Sequence, residues 1–592
     1  MALFDVVFPY NLSPLTYKGN EGLMPGMLVN AEIKKTIKTG IILRESLKKP
    51  EGRIKDIESS VGDAPIFTDG MLKLISWMSD YYLVTEGIVL KEMWGATDFK
   101  GLIEPLSREI KKKYYKTFLI HAPERHTEMS ILKNLISLHR NIIILSPEIA
   151  YVKHISKAIR DIAGERLCSI HSGITKAMRQ KAIGRLLRGE SDIVIGIRSA
   201  IFAPLGEVSV IVVVKEESPS YKKEDGLRYH TRDVAIMRGY FEGASVVLSS
   251  TCPSVESLYN AGIGKYTLIK PPSVLKKPSV KVIDMRTSQK TSPYISKGLF
   301  DRTLLNIKEN NKTAFLINRK GYSVLICEDC GYIETCKDCQ IPLVFYKSDK
   351  TLRCHYCGFK KTAGGACTRC NGSKLRMVGA GIEKIEEDVR DILKTEPLRL
   401  QAGRRKSVPI ISEGQMIVGT RLIARMPELK GRLSLIGVLN GDSYLQAPDF
   451  RAVERAFQEL IHLTENLTSD GHLIIQTRMP HNPLFKYIKN YDFEKFLKDE
   501  LSIRRTLRYP PFSKMALITS DKPSEISDFK SRILNLESSL EVLGPVKAHH
   551  KKGRYVWKML IKAIGREDLR KGLRAIGASN KGVTIDIDPI SF

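Results

Sequence analysis

Apolar and polar residues alternate at the start of the chain. Leu3–Phe8, Met27–Ile33 and Gly40–Leu43 read as short strands divided by Gly and Pro, and the apolar-periodic stretch Met71–Leu83 reads as a helix. Together they predict a small β-rich domain over residues 1–97. From Phe118 the pattern changes. Continuous apolar runs at Asn141–Leu145, Ile193–Ile197, Val208–Val214 and Ala244–Leu248 alternate with helical stretches such as Glu148–Ile162 and Lys176–Leu187. Such runs fit parallel strands covered on both faces. A Pro/Lys-rich link, Pro271–Lys281, precedes a second α/β pattern that starts at Thr313–Ile317 and resumes at Gln415–Val418, Leu433–Leu439 and His472–Thr477. The tail predicts strands at Met515–Ile518, Trp557–Ala563 and Gly582–Ile587. No apolar run approaches the roughly 18 residues of a membrane helix. Met1–Asp5 carries neither a basic run nor a cleavage signature, so a cytoplasmic chain is expected.

Charge narrows the function. With 94 Lys and Arg against 65 Asp and Glu, the 592-residue chain carries a formal +29, which points to a polyanion, most simply nucleic acid. The cysteines narrow it further. Eight of the ten lie between Cys327 and Cys370, as Cys327-x2-Cys330, Cys336-x2-Cys339, Cys354-x2-Cys357 and Cys367-x2-Cys370. In a reducing compartment this spacing reads as metal ligation, enough for two closed sites of four thiolates. Fe–S clusters take the same ligands, but paired knuckles around a short hairpin favour zinc. The middle knuckles flank a predicted hairpin, Ile341–Leu352, so Cys336, Cys339, Cys354 and Cys357 would share one ion. Cys327, Cys330, Cys367 and Cys370 would share the other. His355 reads as a spectator, and Cys168 and Cys252 as ordinary buried cysteines.

Several strings, in order along the chain, resemble a known family: primosomal protein N′, the PriA-type replication-restart helicases. They are Leu145-Ser146-Pro147-Glu148-Ile149, His171-Ser172-Gly173, Gly196–Pro204, the aromatic-rich loop Ser220–Asp233, and Asn318-Arg319-Lys320-Gly321-Tyr322 just before the cysteines. Pro448-Asp449-Phe450-Arg451-Ala452-x-Glu454-Arg455, Leu507–Phe512, Gly553-Arg554-Tyr555-x-Trp557 and Ile585–Pro589 complete the series. The resemblance implies an α/β protein with two RecA-like helicase lobes and a two-zinc Cys-rich insert. It also implies a small β-rich N-terminal domain for the 3′ end of a nascent strand and an α+β C-terminal DNA-binding domain. The expected boundaries are 1–97, a linker at 98–116, lobe 1 at 117–270, lobe 2 at 271–480 with the insert at 324–378, and 481–592. The family's winged-helix domain reads as deleted from the linker.

The chain departs from the family where ATP chemistry resides. A phosphate loop needs glycines, a Lys and a Ser/Thr. The matching stretch is Phe118–Glu128, in which Pro123 and Arg125 stand for glycines, His126 stands for the Lys, and only Thr127 survives. The acidic box reads Lys215-Glu216-Glu217-Ser218, so Lys215 replaces the magnesium-holding Asp while Glu216 remains. The second lobe's arginine positions fall in His462–Ser469, which contains no arginine. In the N-terminal domain Leu15-Thr16-Tyr17 stands where the family has Phe-Asp-Tyr, and Lys55 aligns with a phosphate-reaching lysine.

The leading reading is a helicase-dead member of the family with two Zn²⁺ and no use of ATP/Mg²⁺. It is a monomer that binds forked or single-stranded DNA, away from membranes. Its partners would be primosome and replication proteins, single-strand-binding protein among them. Candidate DNA contacts are Thr16, Tyr17, Lys55, Tyr221, Lys222, Arg228, Arg421 and Arg425, with Lys111–Lys116, Arg404–Lys406 and His549–Arg554 as further basic stretches. The alternatives are an active 3′→5′ DNA helicase with an unrecognised nucleotide loop, and a zinc-dependent nucleic-acid module unrelated to forks.

Overall fold

The computed structural model describes residues 2–47, 54–97, 115–273, 275–317, 324–327, 334, 343–346, 349–353, 359–378, 382–400, 412–444, 450–535, 540–549, 555–575 and 582–591. The chain divides into two compact units. The first comprises Met1–Ser273, Gly565–Asn580 and Asp586–Ile590, and the second Val274–Ile564, Lys581–Ile585 and Ser591–Phe592. Most of the predicted linker, 98–114, lies outside the described residues.

The first unit opens with five antiparallel strands in the order Leu15–Gly19, Ala2–Val7, Thr36–Glu45, Leu28–Ile33, Ile57–Val61. Alternation places Phe4, Val6 and Phe8 on the inner face with Tyr17, Met27, Val29 and Ile42. Helix Asp69–Tyr82 follows. The Thr68 hydroxyl caps it by accepting from the Met71 N–H at 3.1 Å, and Leu83 ends it in the left-handed region.

Seven parallel strands form the lobe that follows, in the order Thr267–Ile269, Thr117–His121, Ser245–Ser250, Val210–Val214, Ile142–Leu145, Ile193–Gly196, Leu167–Ile170. Its central strands are buried on both faces, as their unbroken apolar runs require. Helix Ile149–Ala163 buries Val152, Ile155 and Ile159 against them, a stripe at helical spacing.

The second unit holds a six-stranded parallel sheet, ordered Ser279–Asp284, Leu467–Thr477, Leu433–Val438, Thr313–Leu316, Met416–Gly419, Leu398–Leu400. The Cys-rich region separates strand Thr313–Leu316 from Met416–Gly419 in sequence. Within it Val324–Cys327 pairs antiparallel with Leu375–Val378, and the predicted hairpin appears as Val344–Tyr346 against Thr351–Arg353. A third strand, Lys360–Thr362, extends that hairpin, and Leu325, Leu343 and Leu352 form its small core. Beyond the lobe, strands Glu541–His549, Tyr555–Ala563 and Lys514–Ser520 pair antiparallel, and helix Pro523–Leu534 buries Ile526, Phe529 and Ile533.

Candidate functional site

The thiols of Cys327, Cys367 and Cys370 lie within 4.8 Å of one another, and the Cys327 and Cys370 sulfurs are 3.6 Å apart. Tetrahedral ligation at a zinc–sulfur distance near 2.3 Å separates sulfurs by about 3.8 Å, so the set fits zinc. Local structure presents the ligands. The Arg369 N–H points at the Cys367 sulfur at 3.4 Å, Asn371 turns left-handed, and the Cys367 N–H donates to the Gly372 carbonyl at 2.9 Å. Cys330, the expected fourth ligand, lies outside the described residues, as do Cys336, Cys339, Cys354 and Cys357. Cys168 and Cys252 are buried, and burial pushes the Cys168 thiol up to about 12, where it stays protonated.

In the first lobe three residues, Ala122–Glu124, join strand Thr117–His121 to helix Arg125–Leu138. Three residues are fewer than the G-x4-G-K-[ST] pattern of a phosphate loop spans. The Glu124 carboxylate accepts hydrogen bonds from the hydroxyls of Thr127, at 3.3 Å, and Ser273. A negative charge thus stands beside the first helical turn, where a nucleotide would bring phosphate. Thr127, the surviving hydroxyl position, is spent on that carboxylate, and His126 is exposed.

Lys215 is buried, holds a left-handed backbone and sets its ammonium 4.9 Å from the centre of the Tyr151 ring. Glu216 is fully buried. Its carboxylate takes the Ser254 N–H at 2.6 Å, the Ser254 hydroxyl at 3.0 Å, the Ser257 hydroxyl at 2.9 Å and Arg232 at 2.9 Å. Three of these bonds converge on Oε2 and one reaches Oε1, so protein donors hold the carboxylate in place. Burial raises this carboxyl's pKa, and Arg232 opposes the shift.

In the second lobe, residues within His462–Ser469, the expected place of the arginines, make structural contacts. Asn466 is fully buried; its side-chain amide donates to the Ile423 carbonyl at 2.8 Å. His462 and Lys430 meet the Glu465 carboxylate at 2.8 and 2.7 Å. Arg421 is partly exposed, pairs with Glu459 at 3.0 Å and lies 5.5 Å from the centre of the Tyr444 ring; Arg425 is exposed.

The remaining candidates for DNA contact separate by exposure. Lys55 is exposed and pairs with Glu32 at 2.9 Å. Thr16 donates to Asp5 at 3.0 Å. Three residues require correction. Tyr17 is 3% exposed and donates to the Glu32 carbonyl at 3.0 Å, so its ring offers no open stacking face. Tyr221 is fully buried, its hydroxyl donating to the carbonyls of Val214 and Leu145 at 2.6 and 2.9 Å. Lys222 is 2% exposed and donates to the Ile587 carbonyl at 2.6 Å, with Asp586 at 2.8 Å. Arg228 is half-buried, 3.8 Å from the same Asp586, and Tyr81 donates to Asp588. Lys222 and Arg228 of the aromatic-rich loop therefore face residues 586–587, while residues 224–226 of the same loop are exposed. Sequence reading missed these acids as partners; two opposite charges in separate family strings were the available signal. Of the further basic stretches, residues 111–114, Arg404–Lys406 and His550–Arg554 lie outside the described residues.

Two parallel α/β lobes of the helicase type, the second interrupted by a zinc-binding Cys-rich region, define the class of protein. Three family models match: "3'DNA-binding domain (3'BD)" over residues 5–94, "PriA DNA helicase Cys-rich region (CRR) domain" over 336–361 and "Primosomal protein N C-terminal domain" over 505–590. The replication restart protein PriA of Rickettsia conorii is 30% identical, and that of Rickettsia prowazekii 29%, each alignment covering 100% of both chains. A solved structure of RecG bound to a three-way DNA junction aligns with 72% of this chain and 52% of that one, at 9% identity and a TM-score of 0.38. The chain belongs to the replication restart protein PriA family. No helix among the described residues is long and apolar enough to cross a membrane.

Proposed function

We propose that the chain binds stalled or branched replication forks and serves as a platform for primosome assembly and replicative-helicase loading, without hydrolysing ATP. The observation that carries the second half is the nucleotide site. A three-residue connection ends in Glu124, and Lys215 stands in the acidic box. Phosphoryl transfer works by positioning and charge neutralisation, and loss of one arginine costs about 10³–10⁵ in rate. Here the phosphate loop, the metal carboxylate and the arginines are missing together. Cys327, Cys330, Cys367 and Cys370 hold one zinc in this reading and Cys336, Cys339, Cys354 and Cys357 a second, both closed and structural. The fork-binding half rests on family membership and the +29 charge.

The test measures ATP binding and turnover by the purified chain with and without forked DNA, alongside fork affinity from low to physiological salt. No DNA-stimulated turnover and a steep salt dependence are expected. Unwinding of a fork with ATP overturns the inactive reading, and a flat salt profile overturns the electrostatic one.

A further inference from the structure

The C-terminal sheet buries one face and leaves part of the other open. Met559, Ile561 and Ala563 are buried on one face of their strand, with helix Pro523–Leu534 packed against the sheet. Alternation puts Lys558, Leu560 and Lys562 on the opposite face. At one end that face is roofed. Lys562 is buried, donates to the Leu507 carbonyl at 3.3 Å and sets its ammonium 4.4 Å from the centre of the Tyr509 ring. At the other end Leu560 pairs with Leu543 and Lys558 with Val546, and cross-strand partners share a face. Leu543 is 41% and Val546 63% exposed. On the roof itself, Ile503 and Leu507 lie one turn apart where helix Phe493–Thr506 ends, and each is more than half exposed. The result is an open apolar shelf with a step at one side.

The charge on the shelf has one sign. Among the described residues Lys558 has no acidic partner, and burial lowers its pKa with nothing to oppose the shift. Glu541, the nearest acid in register, is taken by Lys562 at 3.2 Å. Arg505 and Arg508, on either side of Leu507 in sequence, are exposed. Half-burying an ammonium without a partner is unfavourable, and an incoming carboxylate relieves that cost. Three features select the form in which it arrives. Strand addition is blocked, because Glu541–His549 is an edge strand whose register breaks at Gly544-Pro545, and the proline offers no N–H. Bases find no open ring to stack on. Tyr509 already holds Phe450 at 4.6 Å and Lys562 at 4.4 Å against its ring, and the Lys547 ammonium covers Tyr555 at 3.7 Å. What remains is an apolar shelf with a cation among its aliphatic side chains, which suits a helix with apolar residues one turn apart and an acid at their border.

We propose that this shelf docks an amphipathic helix of a partner protein, with its apolar face on Ile503, Leu507, Leu543 and Val546 and a Glu or Asp side chain on Lys558. The proposal rests on the platform reading and deepens it, giving that role a surface and a partner chemistry.

The test uses the full chain and a fluorescein-labelled peptide of about 15 residues, with leucines one turn apart bordered by glutamates. Its controls are a scrambled sequence and a version with lysines in place of the glutamates. Fluorescence polarisation is expected to show the acidic peptide bound about tenfold more tightly than either control. Val546→Glu and Lys558→Glu are each expected to weaken that binding about tenfold or more, and Lys558→Arg to retain it. Val546 is exposed, so Val546→Glu leaves thermal unfolding unchanged and keeps the result free of a folding defect. Equal binding of the three peptides overturns the proposal, as does acidic-peptide affinity unchanged in both variants. Oligothymidylate that displaces the peptide and loses affinity in the same two variants assigns the shelf to nucleic acid and overturns it as well. A parent chain that binds the peptide but does not load the replicative helicase on a fork refutes the platform reading alone.

Discussion

Replacing Lys222 with Met separates a socket from a DNA contact. In the parent, the buried ammonium meets the Ile587 carbonyl at 2.6 Å and Asp586 at 2.8 Å. The variant leaves Asp586 with Arg228 at 3.8 Å as a distant cation and removes the donor to a backbone carbonyl. Breaking a buried pair costs about 3–5 kcal/mol. Arg228 and the added apolar contact of Met reduce the loss to about 3 kcal/mol, or roughly 6–9 °C in transition temperature for a unit of this size. The pH dependence has a definite sign. Burial raises the Asp586 carboxyl's pKa, and Lys222 is the chief group opposing the shift. Without Lys222 it rises further, so the folded state binds an extra proton at mildly acidic pH. Stability of the variant then falls as pH rises through that carboxyl, and its deficit is largest near neutrality and shrinks toward pH 4. Two units do not melt as one, so the assay is thermal unfolding at pH 5 and 8 with amide exchange over residues 220–233. Unaltered protection and melting, combined with weaker DNA binding and a flatter salt slope, would refute the socket and restore Lys222 as a phosphate contact.

Other expectations follow from the remaining sites. Elemental analysis should find about two zinc ions per chain, and Cys327→Ser or Cys367→Ser should lower the content by one; an unchanged count refutes the pairing. Glu216→Gln should lower stability by about 1–3 kcal/mol, because its amide nitrogen would face donors, and should leave ATP turnover at background. A measurable turnover that collapses in this variant would show real catalysis. Asn466→Ala should cost about 1–2 kcal/mol in chemical unfolding, through the lost bond to the Ile423 carbonyl; no change would mean that bond carries nothing.

What the sequence disclosed depended on the range of the forces involved. Parallel strands announced themselves because burial on both faces needs unbroken apolar runs, as at Val210–Val214. The convergence of Cys327 with Cys367 and Cys370 was legible from knuckle spacing and one hairpin. Strand Glu541–His549 was missed, since Gly544 and Pro545 interrupt its alternation at a register break. The burial of Lys222 was hidden for another reason. Its partner carbonyl is 365 residues away, and Lys is ordinarily exposed, so no local period reports it. The three-residue length of the connection Ala122–Glu124 became visible only once the strand and helix ends were fixed.

The socket also has a consequence for synthesis. The first unit is built from Met1–Ser273 together with Gly565–Asn580 and Asp586–Ile590. During translation, Lys222 emerges from the ribosome hundreds of residues before Asp586 exists. For that interval, roughly 20–70 seconds at about 5–20 residues per second, an ammonium destined for burial lacks the Asp586 carboxylate. The early lobe can therefore seat Tyr221 on Leu145 and Val214 at once, but Lys222 gains its partners only after the second unit's sequence has been made. A ribosome stalled anywhere before residue 586 leaves a first unit without the partners of Lys222.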